Sequence, residues 1–254
     1  MNPLDYLLLH FHPEQDFSFI FEYRDDIIAG FAMTMYLYLT ALVIGFLLGL
    51  LLAIARQYGG PLTSRIATGY IELIRSTPLL VQIFIFFILP FGISNFLESL
   101  GYGPIYSDWV IRFGGVTVLS HTILFSIITL GLNSAAYQAE YFRGAITSIG
   151  AGQIQAARSI GMSSRSGIRY VILPQSLRRV IPAWSNEAAY LPKYTVAAYY
   201  IGVEELFAKA HLIVTRTFEA LPAYLFIALI FLIIITAFSK ALEIIYDRTK
   251  IPGL

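Results

Sequence analysis

Long stretches without an acidic or basic residue alternate with short charged segments along this chain. A helix needs roughly 20 apolar residues to cross the core of a bilayer. Four uncharged stretches meet this length, and they cover residues 27–55, 76–97, 113–139 and 220–239. A fifth apolar segment, 180–202, contains Glu187 and Lys193. The pattern predicts five membrane-spanning helices, with the second helix beginning near Ile66.

The composition agrees with this pattern. Hydrophobic residues make up 57% of the 254 residues and charged residues 13%, whereas soluble domains have about 45–50% and about 25%. The net charge of +1 gives no electrostatic reason to expect a nucleic-acid partner, and the absence of cysteine excludes disulfides, thiolate metal sites and cysteine nucleophiles. We therefore expect an all-α, polytopic membrane protein in the cell (inner) membrane.

Lysine and arginine are enriched in cytoplasmic loops, so their placement predicts orientation. With the N-terminus outside and the C-terminus inside, twelve basic residues fall inside and five outside. The outside residues are Arg24, Arg112, Lys193, Lys209 and Arg216. This asymmetry favours an N-outside, C-inside arrangement.

Residues 1–26 contain six acidic residues and one arginine, which is the opposite of the basic start of a signal peptide. We interpret them as an external arm that precedes a membrane domain over residues 27–254. Two histidines at the spacing of His10 and His12 are weak evidence of metal binding, so the sequence predicts no metal site.

The longest inside loop, residues 143–179, has six arginines and no acidic residue. The segment 151–160 is predicted to be a short helix, and Gly161 suits the position after a helix end where φ is positive. Ala156 and Ala157 leave little side-chain bulk, so a partner protein can approach closely. The alternative is a basic loop lying on anionic lipid headgroups.

This loop resembles the EAA loop of binding-protein-dependent ABC importer permeases. The matching pattern is Gln155-Ala156-Ala157, Gly161 and then Val171-Ile172-Leu173-Pro174, with Gln155 in place of the usual glutamate. The resemblance implies that this loop docks on a cytoplasmic ATPase through a coupling helix. The residues it implies for that contact are Gln155, Ala156, Ala157, Arg158 and Gly161.

Two further segments are similar to the polar amino acid permeases of this family. They are Arg75-Ser76-Thr77-Pro78-Leu79-Leu80-Val81-Gln82 and the stretch from Leu132 to Ile146, and Asn186-Glu187 with Lys193 is a weaker match. The resemblance implies a type I importer fold and import of a polar amino acid. The implied partners are two ATPase subunits that carry ATP and magnesium, a second permease copy or paralogue, and an extracytoplasmic substrate-binding protein.

Polar residues inside a membrane suggest function because they are costly there. Asn133, Tyr137 and Glu140 follow the i, i+4, i+7 spacing of one helix face, and we expect this face to line a cavity. Arg75, Ser76 and Thr77 would approach from the second span, which Pro78 opens by removing a backbone donor. This set supplies acceptors for an α-ammonium and donors for an α-carboxylate.

Each of these assignments has a structural alternative. Glu140 can pair with Arg143, Arg75 can pair with Glu72 three residues earlier, and Glu187 can line the path or pair with Lys193 or a neighbouring span. Because the shared motif contains Glu140, this residue by itself does not select a cationic substrate.

None of the four lysines follows a glycine, so the chain has no P-loop. We expect no catalytic residues and no cofactor bound by this chain, with ATP hydrolysis on a separate subunit. Two alternatives are a stand-alone secondary transporter of small polar solutes, although no inverted repeat is evident, and a purely structural membrane subunit.

Overall fold

The computed structural model describes residues 17–249 apart from residues 105, 115 and 150. The first half comprises α1 (Phe19–Glu22), α2 (Arg24–Tyr58), α3 (Pro61–Arg75), α4 (Leu79–Ser99) and a hairpin of β1 (Val110–Phe113) and β2 (Val116–Ser120). The second half comprises α5 (His121–Ser148), α6 (Ala151–Ser159), α7 (Ser164–Gly167), a π-helical turn (Ile168–Ile172), α8 (Leu173–Arg179), α9 (Ile181–Tyr194), a 3-10 segment (Thr195–Ile201), α10 (Leu206–Thr217) and α11 (Ala220–Thr249). The described chain is thus almost wholly helical, as predicted.

Among the described residues, three helices are long and apolar enough to cross a membrane, namely α2, α4 and α11. The other two predicted spans fall on α5 and on α9 with the 3-10 segment. The 28 residues of α5 reach about 42 Å at 1.5 Å per residue. This helix is less apolar because its polar residues face protein: Thr129, Asn133, Ser134 and Gln138 are all buried.

Two predicted span boundaries are wrong. The third span does not begin at Phe113, since residues 113–120 belong mostly to the antiparallel hairpin and the helix starts at His121, where Ser120 Oγ accepts from Ile123 N at 3.3 Å. The second span does not begin near Ile66, because the chain breaks between α3 and α4. The predicted segment 180–202 agrees with the structure to within one residue at each end, and it consists of α9 and the 3-10 segment, which Gly202 follows with a φ of 88°.

Two smaller boundaries also shift. The coupling helix ends at Ser159 instead of Ile160. Arg24, Asp25 and Asp26 form the first turn of α2 instead of ending the arm, because acidic residues are favourable at a helix N-terminus. Residues 1–16, with His10 and His12, lie outside the described residues.

The main packing contact joins α2 to α5, and glycines allow it. A Cβ added at Gly45 would lie 2.4 Å from Gln138 Nε2, and one at Gly49 would lie 2.9 Å from Gln138 Cβ. Small residues let backbones approach where lipid supplies no hydrophobic driving force between helices. The α2–α5 pair therefore forms the axis around which the other helices pack.

Charged groups gather at the two ends of this axis. Near the start of α2, Lys209 Nζ lies 3.0 Å from Asp26 Oδ1 and 2.7 Å from Glu204 Oε2. Near its end, Arg56 pairs with Glu140 and with Glu72. Lys209, assigned to the outside by the charge count, and Arg56, assigned to the inside, thus lie at opposite ends of α2.

Candidate functional site

The break between α3 and α4 forms one wall of a cleft. Helix α3 ends at Arg75. The next two residues, Ser76 and Thr77, make a turn, and Pro78 precedes α4 in an extended conformation with ψ 134°. Proline has no N–H to continue a helix, so the motif Arg75-Ser76-Thr77-Pro78 leaves the helical path here. The break turns these residues toward α5.

The cleft has a volume of about 300 Å³. Its lining residues are Arg75, Ser76, Thr77, Pro78, Leu79, Asn133, Tyr137 and Tyr194. Five of the seven predicted substrate-binding residues are among them. The other three lining residues, Pro78, Leu79 and Tyr194, were not predicted to bind substrate, and Tyr194 at the end of α9 lies outside the motif that contains the first two.

Arg75 provides the cleft with a cation. Its guanidinium carbon lies 5.4 Å from the centre of the Tyr137 ring, within the range of a cation–π contact. Among the described residues, no carboxylate lies within 4.0 Å of this guanidinium, so the predicted alternative of a pair with Glu72 is not formed. Arg75 therefore remains able to bind an anionic group.

Gln82 holds the helix break in place. Its Nε2 donates to Ile74 O at 2.7 Å, to Thr77 O at 3.0 Å and to Thr77 Oγ1 at 2.7 Å. Its Oε1 accepts from Asn133 Nδ2 at 3.0 Å. Gln82 is the last residue of the motif Arg75–Gln82, but its position in the sequence does not indicate this bridge to α5.

Glu140 lies outside the cleft lining. Its carboxylate accepts from Arg143 Nη2 at 2.7 Å and also pairs with Arg56 of α2. The structure therefore forms the predicted alternative, a pair with Arg143, and adds an interhelical partner. Of the predicted stripe Asn133, Tyr137 and Glu140, the first two residues line this cleft, and Glu140 is not among its lining residues.

Glu187 is also outside the cleft lining and is 3% exposed. Its Oε1 accepts from Ser134 Oγ at 2.6 Å. Ser134 Oγ also accepts from Gln138 Nε2 at 3.0 Å, and Gln138 Oε1 accepts from Trp184 Nε1 at 2.6 Å. Glu187 thus contacts a neighbouring helix instead of Lys193, whose Nζ lies 4.2 Å from the Tyr190 ring centre.

The predicted coupling segment forms the helix α6, and Gly161 has the expected positive φ of 85°. Gly161 N bonds to Arg158 O at 2.9 Å and Met162 N to Ala157 O at 3.0 Å, which satisfies carbonyls at the helix end. Gln155, Ala156 and Arg158 are exposed. Ala157 is 4% exposed, so its methyl group packs within the loop rather than at the surface.

This helix is fixed to the membrane helices through its apolar side. A Cβ added at Gly167 would lie 2.7 Å from Ile154 Cδ1, so the glycine makes room for that side chain. Ile154 also packs against a buried cluster made of Ala53, Phe142, Ala145, Ile146, Ile172 and Val180. Ile154 thus joins α6 to a cluster to which α2 and α5 both contribute.

The chain is similar to known transport proteins over nearly its whole length. The family model "Binding-protein-dependent transport system inner membrane component" matches residues 45–251. The glutamine transport system permease protein GlnP of Escherichia coli is 34% identical, covering 93% of this chain and 98% of that protein. The nopaline transport system permease protein NocM of Agrobacterium fabrum is 31% identical, covering 89% and 88%.

Solved structures agree with this assignment. A crystal structure of an amino acid ABC transporter with histidines matches with a TM-score of 0.72 and 32% identity, covering 92% of this chain and 98% of that chain. The MetNI methionine ABC transporter, at 17% identity and a TM-score of 0.64, shows the fold alone. From its helices, its loop and these matches, the chain belongs to the family of inner membrane components of binding-protein-dependent transport systems.

Proposed function

We propose that this chain is the transmembrane permease of an ATP-driven importer of a polar amino acid. The observation that carries the proposal is the cleft, which is lined by Arg75 from the end of α3 and by Asn133 from α5. A cation and neutral hydrogen-bonding groups suit a carboxylate and an ammonium on one small molecule. Relatives whose names include glutamine, nopaline and L-cystine transport support the substrate class.

The proposed partners follow from the family and from what this sequence lacks. No P-loop is present, so ATP and magnesium would bind two separate ATPase subunits that dock on α6. An extracytoplasmic binding protein would deliver the amino acid, and a second permease copy or paralogue would complete the membrane core. The exposed residues Gln155, Ala156 and Arg158 are proposed to contact the ATPase, with Gly161 and Ala157 shaping the helix behind them.

Uptake by proteoliposomes tests this function. The vesicles would contain the chain with its ATPase and binding protein, and the probes would be radiolabelled L-glutamine, L-arginine and L-histidine. We expect ATP-dependent uptake of at least one of them, and a loss of about ten-fold or more in Arg75→Gln, since a hydrogen bond to a charged group contributes about 1.5–3 kcal/mol.

Arg65→Gln is the matched control, because Arg65 is an exposed arginine on the same helix and does not line the cleft. It should leave uptake within about two-fold, as surface substitutions usually have small effects. Uptake that persists without the ATPase would contradict the proposal and favour a secondary transporter.

A further inference from the structure

The side-chain amide of Gln82 has its orientation fixed by its partners. Two of the three atoms that accept from Nε2 are backbone carbonyl oxygens, of Ile74 and Thr77. A carbonyl oxygen cannot donate, so only the NH₂ end of the amide can face them. Gln82 is 5% exposed, so water does not offer an alternative partner for a rotated amide.

This orientation determines that of Asn133. With Nε2 turned to the helix break, Gln82 Oε1 faces α5, where it accepts from Asn133 Nδ2 at 3.0 Å. Asn133 must then present its NH₂ end to Gln82 and its Oδ1 in the other direction. Asn133 is 4% exposed and lines the cleft, and among the described residues no group donates to its Oδ1, so this oxygen is the group that Asn133 offers to a ligand in the cleft.

The cleft therefore holds an oriented acceptor as well as a cation. The Arg75 guanidinium has no carboxylate partner within the described chain, and the two acidic residues nearest in the motifs, Glu140 and Glu187, are engaged elsewhere. An α-amino acid carries an ammonium and a carboxylate on one carbon. Such a head group matches a carbonyl oxygen and a guanidinium without requiring an acidic side chain.

We propose that Gln82 is a positioning residue that orients the Asn133 amide, so that Asn133 Oδ1 accepts from the α-ammonium of a bound amino acid while Arg75 binds its α-carboxylate. The proposal rests on the proposed function of the chain. It assigns recognition to the part shared by all α-amino acids. Side-chain discrimination would then come from other groups or from the binding protein.

Equilibrium binding to the purified permease–ATPase complex, without the binding protein, tests the proposal. The probes are L-glutamine, L-arginine and L-histidine, each compared with its α-hydroxy analogue, which lacks the ammonium, and with its decarboxylated amine. The unaltered complex should bind an amino acid about ten- to hundred-fold more tightly than either analogue, as expected for a lost hydrogen bond to a charged group.

The variants should separate the two preferences. In Gln82→Leu and in the isosteric Gln82→Glu, which cannot donate to two carbonyls, the preference over the α-hydroxy analogue should fall to about two-fold or less, while the preference over the amine persists. In Arg75→Gln the preference over the amine should fall to about two-fold or less, while the preference over the α-hydroxy analogue persists. Gln57→Leu, the same change at an exposed position, should alter neither preference.

Two results would overturn the proposal. If both preferences fall together in both Gln82 variants, Gln82 has only a structural role, and if neither changes, the amide orientation does not matter for recognition. Absence of binding of every probe also overturns it. Failure of the proposed function is distinguished by absence of ATP-dependent uptake in the complete system.

Discussion

The carboxylate of Glu140 joins two helices through two arginines. It accepts from Arg143 on its own helix α5 and from Arg56 on α2, and its side chain is 17% exposed. Removing one member of a largely buried pair leaves the other charge without compensation. We therefore expect this residue to stabilise the contact between α2 and α5.

Glu140→Gln should lower the apparent melting temperature of the purified complex and leave amino-acid binding to the cleft within about two-fold. The double variant Glu140→Gln with Arg56→Gln should lose less stability than the two single variants lose in sum. The difference, which is the coupling free energy, should be about 0.5–3 kcal/mol. Differential scanning fluorimetry and equilibrium binding measure the two effects. Loss of binding at unchanged stability would instead place Glu140 on the path.

Glu205 caps helix α10 outside the membrane spans. Its two carboxylate oxygens accept from Phe207 N and Ala208 N, both at 2.9 Å, which satisfies two free donors of the first turn. Burial raises the pKa of Glu205 from 4.5 to about 7, although the hydrogen bonds from these two N–H groups oppose the shift. The folded chain therefore holds a proton that the unfolded chain has released between these two pH values.

This shift predicts a pH dependence of stability. A carboxyl group with a raised pKa in the folded state contributes less stability as pH rises from near 4.5 to near 7. The melting temperature should fall over this range, and Glu205→Gln, which keeps an acceptor for the cap, should flatten the fall. Fluorimetry at several pH values measures both curves, and parallel curves for the two proteins would contradict the assignment.

The end of helix α6 depends on the backbone conformation of Gly161. Gly161 has a φ of 85°, which is costly for a β-branched residue, whereas asparagine tolerates it. Gly161→Val should reduce uptake per ATP hydrolysed by about ten-fold, and Gly161→Asn should retain most coupling. Simultaneous measurement of uptake and phosphate release tests this, and normal coupling in Gly161→Val would show that the helix end is not required.

The contact between α2 and α5 depends on the absence of side chains at two positions. Gly45→Leu would place atoms where Gln138 and Ser134 now lie, with Cβ contacts of 2.4 Å and 2.8 Å. We expect a loss of about 1–3 kcal/mol or more from overpacking, seen as a lower melting temperature and reduced assembly. Gly92→Leu in α4 is the control, since nothing lies within 4 Å of a Cβ there, and equal losses in both variants would contradict this packing role.

At the scale of the whole molecule, the arrangement of the ends predicts which loops face each side of the membrane. The natural chain has no cysteine, so single cysteines can be introduced without removing others. In Gly69→Cys and Gln153→Cys the thiol should react with an impermeant maleimide only from the cytoplasmic side. In Tyr102→Cys and Thr215→Cys the thiol should react only from the outside. Labelling of any of these four cysteines from the opposite side would contradict the arrangement with five crossings.

Much of this architecture was predictable from the sequence because the relevant forces act locally. Uncharged stretches must be helical in lipid to satisfy their own backbone groups, so α2, α4 and α11 were apparent from hydropathy. The end of α6 at Gly161 was predicted from helix-end chemistry, the shared helix face of Asn133 and Tyr137 from the helix period, and the break after Arg75-Ser76-Thr77 from Pro78. Each of these inferences needs only residues within a few turns of one another.

The tertiary structure decided the features that depend on residues far apart in the chain. Arg56 and Glu140 are 84 positions apart, and Gln82 and Asn133 are 51 apart, so no local pattern indicates either contact. Glu140 and Asn133 share one face of α5 by periodicity, yet Glu140 pairs with Arg56 and Asn133 lines the cleft. They differ because different helices pack against the two turns of α5 that carry them. The hydrogen bonds that orient a buried amide are made across helices, and only the packing of those helices determines which polar atoms remain open to a ligand.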